Sequence, residues 1–211
     1  MAKILTVDKA LELLGEANKL NPGQWYEHSL VVGRVSGKIA EALNLDSDKA
    51  MAFGYIHDIG RRVGRCGLKH IYEGYKYLND LGYTEAARIC LTHSFFEEKI
   101  EDVIGKWDIS KEEKAVVEDY IINTKFNIYD KIVQLADSIS LPTGITTLER
   151  RMTDVFFRYG FNDKTEYNFK IRLELQDEIE EMLGYPLYRL FIKEISEELN
   201  RDMVADVVKF K

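Results

Sequence analysis

Apolar residues recur along this chain three or four positions apart, and no sustained stretch alternates apolar with polar. The pattern predicts a first helix over about 7–20, stopped by Asn21-Pro22-Gly23. A second helix is expected from Gln24 to about Asn44, with Leu30, Val31, Val35, Ile39 and Leu43 on one broad face. Asp46-Ser47 reads as an N-cap for a third helix running through Met51, Phe53 and Ile56. A Gly-rich, basic connection follows, RRVGRCGLK, expected to be a flexible loop. Helices are then predicted over 70–81, 84–94, 111–124 and 129–139, separated by Leu81-Gly82-Tyr83, the Trp107-Asp108 region and Asn127. Leu141-Pro142-Thr143-Gly144 breaks the pattern, and further helices are expected around 146–159, 166–183 and 186–209. With three prolines, no repeat and no low-complexity linker, the expected fold is all-α, a single-domain helical bundle.

Composition narrows the partners. A chain of 211 residues can bury one sizeable core. Lys plus Arg is 29 and Asp plus Glu is 36, a net charge of −7, which argues against a nucleic-acid polymer as partner but leaves room for a local basic pocket. Cys66 and Cys90 form no CxxC pair, so a reducing, cytoplasmic setting is expected. The first twenty residues lack an apolar segment followed by a small-residue cleavage site, and no run approaches the ~18 apolar residues of a membrane span.

Candidate chemistry sits on four histidines and two aspartates. His28 precedes Val31, Val32, Val35 and Ile39 by three, four, seven and eleven, which places it on the apolar face of the second helix. His57 follows Phe53 by four, and Asp58 is its neighbour. Asp137 is set among Ile132, Val133, Leu135, Ala136 and Ile139. Carboxylates in such positions are costly to bury without a partner, and imidazole plus carboxylate is a competent ligand set for Fe, Mn, Co, Ni or Zn. Taken singly, each residue also suits a plainer role. A lone histidine can be a satisfied core or capping residue, and Asp58 can pair with Arg61 or Arg62 at i+3 or i+4.

The order His28, His57-Asp58, further histidines, then a lone Asp137 inside a helix resembles the HD-domain superfamily of metal-dependent phosphohydrolases, over roughly residues 20–145. The resemblance implies that His28, His57, Asp58 and Asp137 hold one metal. His70 in HIYEGYKYL and His93 in ICLTHSF match positions that hold a second in binuclear members, with Asp58 bridging the two. The chain lacks the GYP signature and the second histidine (here Ser94) of the cyclic-dinucleotide phosphodiesterases, so that substrate is not implied. Where several relatives carry Lys after the HD pair, this chain has Arg61, which keeps the charge and can clamp a phosphate bidentately.

The expected activity is hydrolysis of a small phosphate ester or anhydride, most plausibly a nucleotide, with one or two divalent metals, Asp58 and Arg61 in the catalytic set, and Arg62 as a further phosphate contact. Arg65 and Lys69 are weaker candidates in the same connection. Arg151 and Arg158 share a helix face and could line the mouth of the site, or else pair with Glu149 and Asp154. Trp25, Tyr26, Tyr55, Phe95 and Phe96 flank the proposed ligands as base-stacking or core residues. Two other classes use the same residues: a di-iron oxygenase and a non-catalytic, metal-binding regulatory module. The division expected is an HD-type core over 1–145 and C-terminal helices over 146–211 packed on it. Those helices complete the core, cover the site or form a homodimer face.

Overall fold

The computed structural model describes residues 3–97, 99–101 and 103–197. The described helices with complete bounds are α1 (Val7–Leu20), α2 (Gln24–Ala42), α3 (Ser47–Ile56), α4 (Lys69–Asp80), α5 (Thr84–Thr92), α6 (Lys111–Ile122), α7 (Ile128–Ser138), α8 (Leu148–Tyr159) and α9 (Asp163–Leu183). The expected all-α class holds. Capping residues set several starts: Thr6 accepts from the Lys9 N–H, and Asp46 from that of Lys49. Reciprocal capping boxes open α6 with Ser110 and Glu113, and α7 with Asn127 and Asp130.

Three expectations need correction. The basic connection is not wholly a loop, because Ile59–Val63 winds into a 3₁₀ turn whose Ile59 and Gly60 are buried. The break at Pro142 is a small antiparallel hairpin, β1 (Ser140–Leu141) on β2 (Gly144–Ile145), with Ser140 opposite Ile145. The last predicted helix starts as a 3₁₀ turn, Leu187–Phe191, and continues helical over 192–197; the part expected beyond 197 lies outside the described residues.

One buried cluster runs from Val32, Val35, Ile39, Ile56 and Leu135 through Leu148, Met152 and Ile179 to Leu187 and Phe191, so residues 146–197 pack on the same core as α1–α3 and α7. A second, smaller cluster of Leu68, Ile71, Leu91, Phe95, Val117 and Ile121 lies beneath α4, α5 and α6.

Two close backbone crossings position the site. A Cβ on Gly54 would lie 2.7 Å from the Gly33 Cα, so α2 and α3 meet at backbone contact. A Cβ on Gly60 would lie 1.9 Å from the His70 carbonyl oxygen and 2.5 Å from the Gly74 nitrogen. The crossing of the 3₁₀ turn and α4 therefore has no room for a side chain, and it brings Asp58 up to His70. We expect Gly60→Ala to cost about 1–3 kcal/mol through overpacking, read as a lower urea midpoint, and to weaken metal binding at the same time. An unchanged midpoint would contradict a crossing without room for a side chain.

Candidate metal centre

Six side chains from five places in the chain converge: His28 from α2, His57 and Asp58 at the end of α3, His70 at the start of α4, His93 just past α5, and Asp137 from α7. His57 and His93 are the residues that close their helices. The predicted 84–94 helix thus ends one residue short of His93. At a helix end the carbonyls of the last turn need donors, and the imidazoles supply them. His57 Nδ1–H donates to the Gly54 carbonyl at 2.7 Å, and His93 Nδ1–H to that of Ile89 at 3.1 Å. His70 Nδ1–H donates to the Gly67 carbonyl at 2.6 Å. These bonds fix the proton on Nδ1 in all three rings and leave the Nε2 nitrogens unprotonated toward the centre.

Those nitrogens face carboxylate oxygens. His70 Nε2 is 3.1 Å and His93 Nε2 3.8 Å from Asp58 Oδ1, while His57 Nε2 is 3.9 Å from both Asp58 Oδ2 and Asp137 Oδ1. His70 and His93 bring their Nε2 atoms within 3.4 Å of each other. Ser94 O–H donates to His93 Nε2 at 3.1 Å, and His28 Nε2–H to Asp137 Oδ1 at 2.8 Å. Asp58 Oδ1 is fully buried and accepts no hydrogen bond. A buried oxygen left unsatisfied among unprotonated imidazole nitrogens is destabilising unless a cation sits between them. The ligand atoms fit that: those of His28, His57 and Asp137, and those of His57, Asp58 and His93, each lie within 4.8 Å of one another. Nitrogen and carboxylate donors in this mixture suit a divalent transition metal.

Protonation states agree. Burial pushes the His57 pKa down to about 4 and that of His70 to about 3, against the pull of the nearby carboxylates, so both rings are neutral near pH 7. Burial alone would raise Asp58, but Arg61, then His70, His57 and His93, hold it well below the usual carboxylate range. Asp137 is likewise held low, chiefly by the His28 hydrogen bond acting against burial.

The cluster is sealed on most sides and open at one edge. The Asp137 side chain is 29 % exposed and that of Arg61 31 %, whereas Asp58 and the four imidazoles are buried. Arg61 Nε donates to Asp58 Oδ2 at 2.5 Å, and its backbone carbonyl accepts from Asn21 Nδ2 at 2.6 Å. Among the described residues no acceptor meets its Nη1 and Nη2 groups.

Other expected contacts are elsewhere. Arg62 stacks over the Tyr77 ring, 4.2 Å from its centroid, and so turns away from the cluster. Arg151 and Arg158 share Asp154 at 3.0 and 2.6 Å, the ion-pairing alternative. Arg65 is exposed and Lys69 half-buried, and among the described residues neither side chain makes a hydrogen bond or ion pair with the six. Tyr55 packs on Gly33, Phe95 lies in the second core near Trp107, and Trp25 donates to the Asn21 carbonyl, so these three are core residues. Tyr26 also packs on the main core. Cys66 and Cys90 are free thiols outside the cluster, and Cys90 is fully buried.

The scaffold behind the cluster was not expected. Arg88 on α5 grips Asp130 on α7 through Nε at 3.0 Å and Nη2 at 2.5 Å, and Thr92 Oγ1–H donates to the same carboxylate at 2.7 Å. Gln134 Nε2–H donates to the Thr92 and Phe95 carbonyls on either side of His93. The element bearing His93 is thereby tied to the element bearing Asp137.

No curated protein and no solved structure matches the chain significantly. A family model for the HD domain matches residues 25–141, more than half of the chain, and the matched span holds all six converging residues. The chain belongs to the HD-domain family, whose members are largely metal-dependent phosphohydrolases.

Proposed function

We propose that the protein is a metal-dependent hydrolase of a small phosphate ester or anhydride, in the first place a nucleotide. The reading assigns His28, His57, Asp58 and Asp137 to one divalent metal and Asp58, His70 and His93 to a second, with Asp58 shared. The observation that carries it is the open edge, where half-exposed Asp137 lies beside a guanidinium with two unused faces. A metal site with a purely structural role is closed by its protein ligands. An edge accessible to solvent and lined by a positive charge suits an anionic substrate.

Divalent metal bound here would lower the pKa of a coordinated water and offset phosphate charge. The chain's own residues supply orientation. The carbonyl bonds from His57, His70 and His93 fix tautomer and ring direction before anything binds, so little reorganisation is needed. Arg61 is itself held by Asp58, and its free Nη groups present two parallel donors to non-bridging phosphate oxygens. With Nε2 of His57, His70 and His93 unprotonated and both carboxylates held low, only His28, whose Nε2–H donates to Asp137, would have to give up a proton to a bound metal at neutral pH.

The test is phosphate release from nucleoside mono-, di- and triphosphates by protein loaded with Mn, Co or Ni under nitrogen. Turnover without dioxygen is expected. Turnover only with iron and dioxygen would replace the reading by an oxygenase, and tightly bound metal without turnover on any phosphate compound would leave a binding module. In the same assay Arg61→Ala is expected to lower kcat/KM by about 10²–10³, with metal retained and Arg61→Lys in between. Full activity in Arg61→Ala would remove Arg61 from the catalytic set.

A further inference from the structure

A second arginine, from the C-terminal helices, lies within electrostatic reach of Asp137. Arg172 on α9 lies over the ring of Phe96, 4.1 Å from the centroid, and Phe96 follows His93 by three residues. Helix α9 packs directly on α7, which carries Asp137. Arg172 Nη1 donates to the Asn168 carbonyl at 2.8 Å and to Asn168 Oδ1 at 2.7 Å, and Asn168 is buried. These two bonds and the aromatic face hold the guanidinium plane in place.

No carboxylate of the described residues pairs with Arg172, and its Nε and Nη2 groups have no acceptor. Burial lowers its pKa to about 10, opposed by the field of Asp137 and reinforced by the charge of Arg151 on the neighbouring α8. Asp154 is divided between Arg151 and Arg158 and makes no ion pair with Arg172. A half-buried, unpaired cation is unfavourable for folding. A purely structural role would be served better by an apolar side chain in a stripe that continues with Leu175 and Ile179, three and seven residues on.

We propose that Arg172, held on Phe96 beside the Asp137 edge of the cluster, is a substrate-binding residue that takes a phosphate oxyanion through its free Nε and Nη2 donors. The assignment rests on the phosphohydrolase reading for its substrate class, but oxyanion binding is measurable without turnover. On this account the C-terminal helices complete the substrate pocket.

The experiment is calorimetric titration of orthophosphate into manganese-loaded full-length protein, wild type beside Arg172→Met and Arg172→Lys, with thermal melting and metal content measured on each. Arg172→Met is expected to bind orthophosphate about 10- to 100-fold more weakly, with manganese content unchanged and a Tm equal to or above that of wild type. Arg172→Lys, with the charge but not the fork, is expected in between. Unchanged affinity in Arg172→Met, affinity lost only along with manganese or with a fallen Tm, or no orthophosphate binding by wild type would each overturn the proposal. If phosphate binding depends on Arg172 and no phosphate compound is hydrolysed, the subsite stands and the hydrolase reading falls. If hydrolysis is found while Arg172→Met binds orthophosphate as wild type does, the subsite falls alone.

Discussion

Asp58→Asn is expected to leave the protein without hydrolytic activity and with less than one metal per chain. Asp58 is the one residue whose two oxygens face both halves of the cluster, Oδ1 toward His70 and His93 and Oδ2 toward His57. An amide in its place keeps the volume but removes the charge and turns one of those positions into an N–H₂ donor. That donor would meet imidazole lone pairs already fixed by the carbonyl bonds at Nδ1. Removing the shared ligand takes away the several kcal/mol of charge stabilisation that bound metal contributes, which corresponds to a rate loss of about 10³ or more. Arg61 loses its partner as well, so the phosphate clamp is displaced together with the metals. Elemental mass spectrometry and a phosphate-release assay on one preparation check both halves. Wild-type metal content in Asp58→Asn would refute the shared-ligand assignment.

The second large effect falls on stability. Asp130 is fully buried and takes hydrogen bonds from Arg88 Nε and Nη2, from the Thr92 hydroxyl and from the Asn127 N–H. Asp130→Ala leaves a largely covered guanidinium and two further donors without their acceptor. Breaking a buried pair from one side costs about 3–5 kcal/mol, which for a chain of this size lowers Tm by roughly 6–20 °C. Because the pair ties α5 to α7, metal affinity should fall as well, by about 10- to 100-fold, as when other supports behind metal ligands are lost. Differential scanning calorimetry of the metal-free protein isolates the folding effect, and metal titration the second. A Tm within 2 °C of wild type, on the order of a surface substitution, would contradict the account of this pair.

Part of the candidate site was legible because His28, Asp137 and the His57-Asp58 pair break a local rule, whereas His70 and His93 break none and were picked out only by the resemblance to HD-domain proteins. His28 and Asp137 stand in apolar stripes, and the His57-Asp58 pair closes a helix of small and apolar residues. Residues that only contact one another across elements leave no such trace. Arg88 and Asp130 lie 42 positions apart, and the single hint was an acidic residue three after the Asn127 cap. Arg172 was missed although it carries the same signal as Asp137, a charge within an apolar stripe. The polar residues crowding α9 made that stripe hard to see. Helical spacing put Arg151 and Arg158 on one face and offered two roles for them, and Asp154 between them decides for ion pairing. The 3₁₀ turn was hidden by its glycine and two arginines, which signal a loop, while burial of Ile59 and Gly60 against α4 decides otherwise.

The most direct test of a shared-carboxylate, two-metal centre is the metal content of freshly purified protein beside that of His70→Ala and His93→Ala. The account predicts close to two divalent metals per chain, falling toward one in each variant while the metal at His28, His57 and Asp137 stays. A single metal, unchanged in both variants, would contradict it.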